Sequence, residues 1–118
     1  MPALPRAIGD RGESLARNYL TQQGYMFITA NWSCKAGEID LIMQAGDTRV
    51  FVEVRLRRPT SYGAGAETVA WQKQQKLRKA AAWYMQTQDY WGNTRFDVIS
   101  ITDNQDTTPE IDHIPDAF

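Results

Sequence analysis

The stretch GEIDLIMQAGDTRVFVEVRLRR, residues 37–58, holds two apolar segments on either side of Gly46–Asp47. Side chains alternate along a strand, so Val50, Val52, Val54 and Leu56 fill one face of the second segment while Phe51, Glu53 and Arg55 share the other. By the same rule Glu38, Asp40 and Ile42 lie on one face of the first segment. If Gly46 and Asp47 are the central residues of a tight turn, cross-strand partners have numbers summing to 93; a four-residue loop from Ala45 to Thr48 has the same centre. Asp40 then faces Glu53, and Glu38 faces Arg55. A slip of one residue would send the two acids to opposite faces.

Directly opposed side chains have Cβ atoms about 4.5 to 5.5 Å apart, where like charges are destabilising. Two readings remain open at this point. The sheet face is open and both acids are hydrated, or a divalent cation lies between them, since hard cations such as Mg²⁺ take one or two carboxylates together with water and substrate phosphate.

A chain of 118 residues is long enough for one core of ordinary size and too short for two, so a single domain spanning 1–118 is expected. Apolar residues make up 42% and charged residues 23%, and four Trp, five Tyr and four Phe supply a packed interior. Cys34 is the only cysteine, which excludes an internal disulfide framework and multi-cysteine metal motifs and fits a reducing, cytoplasmic setting. No stretch approaches the roughly 18 to 20 apolar residues of a membrane span, so a soluble protein with no membrane partner is expected.

Net charge is only −1, yet charge is segregated along the chain. Between Arg55 and Lys79 stand seven basic residues (Arg55, Arg57, Arg58, Lys73, Lys76, Arg78 and Lys79) against the single acid Glu67. After Arg95 there are six acids and no Lys or Arg. A basic run of this kind is either a solvated helix face or the electrostatic footprint of nucleic acid.

Periodicity predicts a helix over 10–23, with Asp10 as N-cap, Leu15, Ala16, Tyr19 and Leu20 as its apolar stripe and Gly24 as its stop. Strands are expected at 25–32, 38–44 and 49–56, followed by the loop RRPTSYGAGAET. A second helix runs from Thr68, as N-cap, to residue 88, burying Ala70, Leu77, Ala80, Ala81 and Tyr84, and strands follow at 95–101 and 111–114. The order α-β-β-β-α-β makes this an α/β fold, a mixed sheet with helices packed against it.

Other motifs are weaker. Lys73 falls on the inward stripe of the second helix, where it either serves a site or snorkels at the boundary. Glu13 stands three residues after Asp10, the spacing of a reciprocal N-terminal cap. His113 has no histidine or cysteine partner and reads as a hydrogen-bonded structural residue. Neither a P-loop nor a dinucleotide fingerprint is present. Trp71 and Trp83, interleaved with Lys76, Arg78 and Lys79, could stack bases, although core packing is expected for at least one of them.

An acid at the start of one strand, acid-x-base on its neighbour and an upstream helical Glu resemble the catalytic pattern of PD-(D/E)xK nucleases, here as GESLARNYL, GEIDLI and FVEVR. Together with GYMFITANW, KQQKL, AAAWYM, RFDVI and IPDAF, these stretches resemble the YraN family of bacteria over about residues 9–118, a family similar in turn to archaeal Holliday-junction resolvases. That resemblance implies a restriction-endonuclease-like mixed sheet flanked by helices. It also implies a metal-dependent phosphodiesterase acting on branched or structured DNA. Asp40, Glu53 and Glu13 would hold Mg²⁺ or Mn²⁺, and Arg55 and Lys73 would join them in catalysis. Arg57, Arg58, Lys76, Arg78 and Lys79 would contact backbone phosphates. A homodimer follows from a four-way junction having two strands to cut. Arg55 departs from the family pattern, which has Lys there; a guanidinium is planar and does not give up its proton. That departure leaves a second expectation, a binding or adaptor module that kept the fold and lost hydrolysis.

Overall fold

The computed structural model describes residues 4–57, 69–103 and 108–118, with side chains from Arg11 onward. The chain runs α1 (Leu4–Gln22), β1 (Met26–Cys34), β2 (Gly37–Ala45), β3 (Thr48–Arg57), α2 (Trp71–Thr87), β4 (Asn93–Thr102) and β5 (Glu110–Ile114). The five strands form one sheet in the order β1-β2-β3-β4-β5. β3 and β4 are parallel and every other pair is antiparallel. Parallel neighbours need a long crossover, and α2 supplies it.

Alternation assigns each strand residue to a layer. Ala16 and Leu20 of α1 pack with Leu41, Met43, Val50, Val52, Ile99 and Ile101 on one face of the sheet. On the other face, Leu77, Ala80, Ala81 and Tyr84 of α2 meet Ile42, Phe51, Phe96 and Val98. β3 and β4 are therefore buried on both sides, as their near-continuous apolar sequence requires. The β2–β3 turn has φ +62° at Gly46 and no positive φ at Asp47, the pattern of a type II′ turn that suits glycine at its first central position.

The structure corrects three expectations. α1 begins at Leu4, so Asp10 lies within the helix and is not its N-cap. Pro5 is tolerated because it falls in the first turn, where no helical bond is lost. Gly12 serves close packing: a Cβ there would lie 3.0 Å from Leu56 Cδ1. Second, α2 starts at Trp71 with an exposed Ala70 as its N-cap, while Thr68, the expected cap, lies outside the described residues. Third, Trp71 and Trp83 are both exposed, at 70% and 49%, so neither is a core residue. Small Ala80 and Ala81 bring α2 close to the sheet, and the core it covers is filled by Tyr84, Phe51 and Phe96. The helix stop at Gly24 (φ +96°) is as expected, with the Tyr25 amide donating to the Leu20 carbonyl at 3.0 Å.

Candidate active site

The hairpin register places the two central acids. Paired residues run from Ala45–Thr48 to Leu41–Val52, every pair summing to 93. The recorded pairing stops there, one residue short of Asp40 and Glu53. Just beyond it the Val54 amide donates to Asp40 Oδ2 at 2.9 Å, so a side-chain carboxylate takes the donor of a strand residue. A mid-strand acid on the floor of a sheet thus has one oxygen held by a fixed backbone donor.

Glu53 is almost fully buried, and its Oε2 lies 2.6 Å from Lys73 Nζ, which reaches down from the first turn of α2 with its side chain about half exposed. Lys73 therefore does more than snorkel. Asp40 is mostly buried beside Glu53, and its pKa is pushed up to about 7. Desolvation is the larger cause and the neighbouring Glu53 charge the next; the Val54 hydrogen bond opposes both. Close approach of the two carboxyls thus favours the protonated form of Asp40.

An open cavity of about 430 Å³ lies over the pair, lined by Gly37, Glu38, Asp40, Glu53, Ala70, Gln72, Lys73, Lys76 and Leu77. Its floor is acidic and its α2 wall is cationic. Glu38 is exposed at the rim, and the paired register does not extend to the expected Glu38–Arg55 pairing. Among the described residues no third Asp, Glu, His or Cys joins the pair within metal-ligand reach. Two carboxylates nevertheless satisfy what Mg²⁺ or Mn²⁺ asks of a protein when water and a phosphate complete the shell.

The remaining candidates are spread more widely. Glu13 is half-buried on α1, the helix that packs against the opposite face of the sheet, and does not line the cavity. Arg55 is half-buried one pleat beyond Glu53, and Arg57 ends β3. Arg58 lies outside the described residues. Lys76 and Lys79 are exposed on α2, whereas the Arg78 guanidinium covers Phe96 and Phe118 at 5.3 and 5.5 Å from their ring centres.

With this geometry in view, the comparison with known families is informative. The model of the uncharacterised protein family UPF0102 matches residues 12–101, a span that carries α1 from Gly12, the β2–β3 hairpin, α2 and β4. The chain belongs to UPF0102. This is the YraN family identified from the sequence motifs. A UPF0102 protein of Rhodococcus opacus strain B4 is 43% identical over 113 residues, covering 95% of this chain and 96% of the relative. One from Stutzerimonas stutzeri is 48% identical over 96 residues, 80% of each chain, and one from Pseudomonas putida strain GB-1 is 37% identical over 121 residues, covering 100% and 98%. The matched UPF0102 span contains Asp40, Glu53 and Lys73 and leaves β5 with His113 outside.

A second polar cluster of this UPF0102 chain escapes sequence reasoning. Asp97, fully buried on the α1 face of β4, accepts from Arg95 Nε at 2.8 Å and Arg95 Nη2 at 2.9 Å. His113 Nε2 lies 2.7 Å from its Oδ2, and the Asp116 amide donates to it at 3.0 Å. Arg95 also donates to the Tyr25 hydroxyl at 2.6 Å. The only available signal is the R-x-D spacing of RFDVIS, which puts a base and an acid on one strand face. His113 is the hydrogen-bonded structural residue expected of it. No helix of the described residues is long and apolar enough to cross a membrane.

Proposed function

We propose that this chain is a metal-dependent nucleic-acid phosphodiesterase of restriction-endonuclease type, acting on branched or structured DNA. The observation that carries this reading is the Asp40–Glu53 pair, two carboxylates forced together at the floor of an open cavity whose α2 wall is cationic. Both acids line an open cavity beneath a helix that carries no acidic residue. Asp40 and Glu53 are the residues that would hold Mg²⁺ or Mn²⁺. Bound there, the cation would lower the pKa of a water and offset charge on the phosphate.

The chain's own groups do the rest. The Val54 N–H anchors Asp40 Oδ2 in the cavity lining. Lys73, ion-paired with Glu53 at 2.6 Å and about half exposed, can swing its ammonium toward a phosphate oxygen. Arg55 adds positive charge one pleat along. Lys76 at the rim meets the backbone and positions it without reading sequence. The protein works in the cytoplasm on this reading, and a homodimer would present two such cavities to a junction.

A non-catalytic adaptor is the second reading, favoured by Arg55 standing where a proton-relaying Lys is usual. Titration calorimetry separates the two: divalent cation binding by wild type at millimolar Mn²⁺ supports the phosphodiesterase, and no heat sinks it. A cleavage assay on synthetic junctions and flaps adds a second test. Arg55→Lys should retain or raise the rate, because an ammonium fits beside the attacking water. Arg55→Ala should lose at least about tenfold, roughly 1.4 kcal/mol of transition-state stabilisation. Absent cleavage in wild type and in Arg55→Lys alike is the adaptor's outcome.

A further inference from the structure

The basic run of α2 divides into separate faces once the helix is seen in place. Leu77, Ala80, Ala81 and Tyr84 define its buried direction. Arg78 turns toward β4 and the C-terminus, over Phe96 and Phe118. Gln72, Lys76, Lys79 and Trp83 recur at spacings of four, three and four, so they form one stripe along the opposite flank. All four are exposed. Gln72 and Lys76 line the cavity, and the backbone of Lys76 lies beside Gly37 at the β1–β2 turn, where a Cβ would meet the Lys76 carbonyl at 3.9 Å. The stripe thus starts at the mouth of the cavity and ends at Trp83, roughly 16 Å away along the axis at about 1.5 Å per residue. α2 contains no acidic residue.

Cations at the near end and an open indole at the far end are the two parts of a single-strand platform: lysines follow phosphates, and an aromatic face takes a base whatever its identity. An exposed Trp on a helix flank is otherwise a liability, and here its position continues the lysine row. A duplex offers no free base face to Trp83. We propose that the stripe Lys76–Lys79–Trp83 is a track for an unpaired DNA arm leading away from the Asp40–Glu53 cavity, with a base stacked on Trp83. The track rests on the phosphodiesterase reading and narrows its substrate to DNA carrying an unpaired strand.

Fluorescence anisotropy in EDTA, where no metal-dependent cleavage proceeds, tests the track without testing the chemistry. Labelled forks with unpaired arms are compared with blunt duplex of the same sequence. Trp83→Ala should weaken fork binding about tenfold and leave duplex binding unchanged, while Trp83→Phe restores the fork to within about threefold. Trp91→Ala removes an even more exposed indole off the stripe, in the α2–β4 connection, and should change nothing. Lys76→Ala with Lys79→Ala should reduce the slope of log affinity against log salt by about one to two. Trp83→Ala binding forks as wild type does, or losing fork and duplex equally, overturns the track. So does wild type that binds no nucleic acid, the result expected if the stripe serves a protein partner. Because the assay needs no metal, failed cation binding in calorimetry removes the catalytic reading and leaves these outcomes readable.

Discussion

In EDTA at pH 8, Asp40→Asn should unfold at a higher temperature than wild type, and with Mn²⁺ present it should cleave branched DNA at least about a thousandfold more slowly. Both effects come from one carboxylate. Asp40 has its pKa raised to about 7 by burial and by Glu53, against about 3.9 for a free Asp. A raised carboxyl binds its proton more tightly in the folded state, so folding is favoured at low pH. The advantage fades as pH climbs from the unfolded value through the folded one. Above pH 7 the ionised pair costs on the order of 4 kcal/mol at about 1.36 kcal/mol per unit. Asn keeps the shape, accepts from Val54 and can donate to Glu53, but carries no charge to repel.

The difference in unfolding free energy between variant and wild type should therefore grow between about pH 4 and pH 7 and then level off. Adding Mn²⁺ should reverse the order at pH 8, because a cation that binds only the folded wild type stabilises it by mass action. Urea melts across that pH range, with and without metal, make the measurement. A difference that is flat with pH, or an equal gain from Mn²⁺ in both proteins, would remove the argument that the pair is held ready for a cation. On the phosphodiesterase reading, the activity arm follows from losing a proposed cation ligand, about 4 kcal/mol for three orders of magnitude.

How much of this could be read beforehand is clearest along the sheet. Gly46–Asp47 fixed the hairpin centre, so the sum of 93 and the juxtaposition of Asp40 and Glu53 followed from counting alone. Lys73 was placed by helical period, and the 2.6 Å contact with Glu53 is where that period leads. The mixed sheet and its flanking helices likewise followed from alternation and spacing. What escaped was set by contacts distant in sequence. Asp10 has every mark of an N-cap, yet the helix continues upstream of it. Gly12 could be recognised as a packing residue only once Leu56 was brought against it from β3. The family resemblance makes Glu13 a third ligand, but sequence says nothing about which face of the sheet a helix covers, and α1 packs on the face opposite α2. Core packing was expected for at least one of Trp71 and Trp83 because tryptophan is usually buried, yet Leu77, Ala80, Ala81 and Tyr84 are the residues α2 buries.

The third mid-strand acid, Asp97, shows why residue type alone does not decide a site, and its removal is the other large effect expected. Asp97→Ala should cost about 3 kcal/mol or more. It strands the Arg95 guanidinium and the His113 ring beside an empty, dry position, and it frees the Asp116 amide that holds the C-terminal segment to β4. A domain of this size has about 5 to 15 kcal/mol in total, so the melting temperature should fall by roughly ten degrees. The pH signature is the reverse of that of Asp40. Burial pushes the Asp97 pKa up, but the hydrogen bonds from His113, Arg95 and the Asp116 amide outweigh it and hold the group below its ordinary value. Its stabilisation is thus fully present above the unfolded value of about 3.9 and is lost as pH falls below that through the folded one. Circular-dichroism melts from pH 2.5 to 6 should show wild type and Asp97→Ala converging in acid, whereas wild type and Asp40→Asn in EDTA converge there from the opposite side and part toward alkaline pH. A gap between wild type and Asp97→Ala that stays constant down to pH 2.5 would mean that packing, not the ionised cluster, ties β5 to the sheet. The two acids differ in what faces them: fixed donors favour the charged form of Asp97, whereas burial and a second carboxylate raise the pKa of Asp40 despite the nearby Lys73.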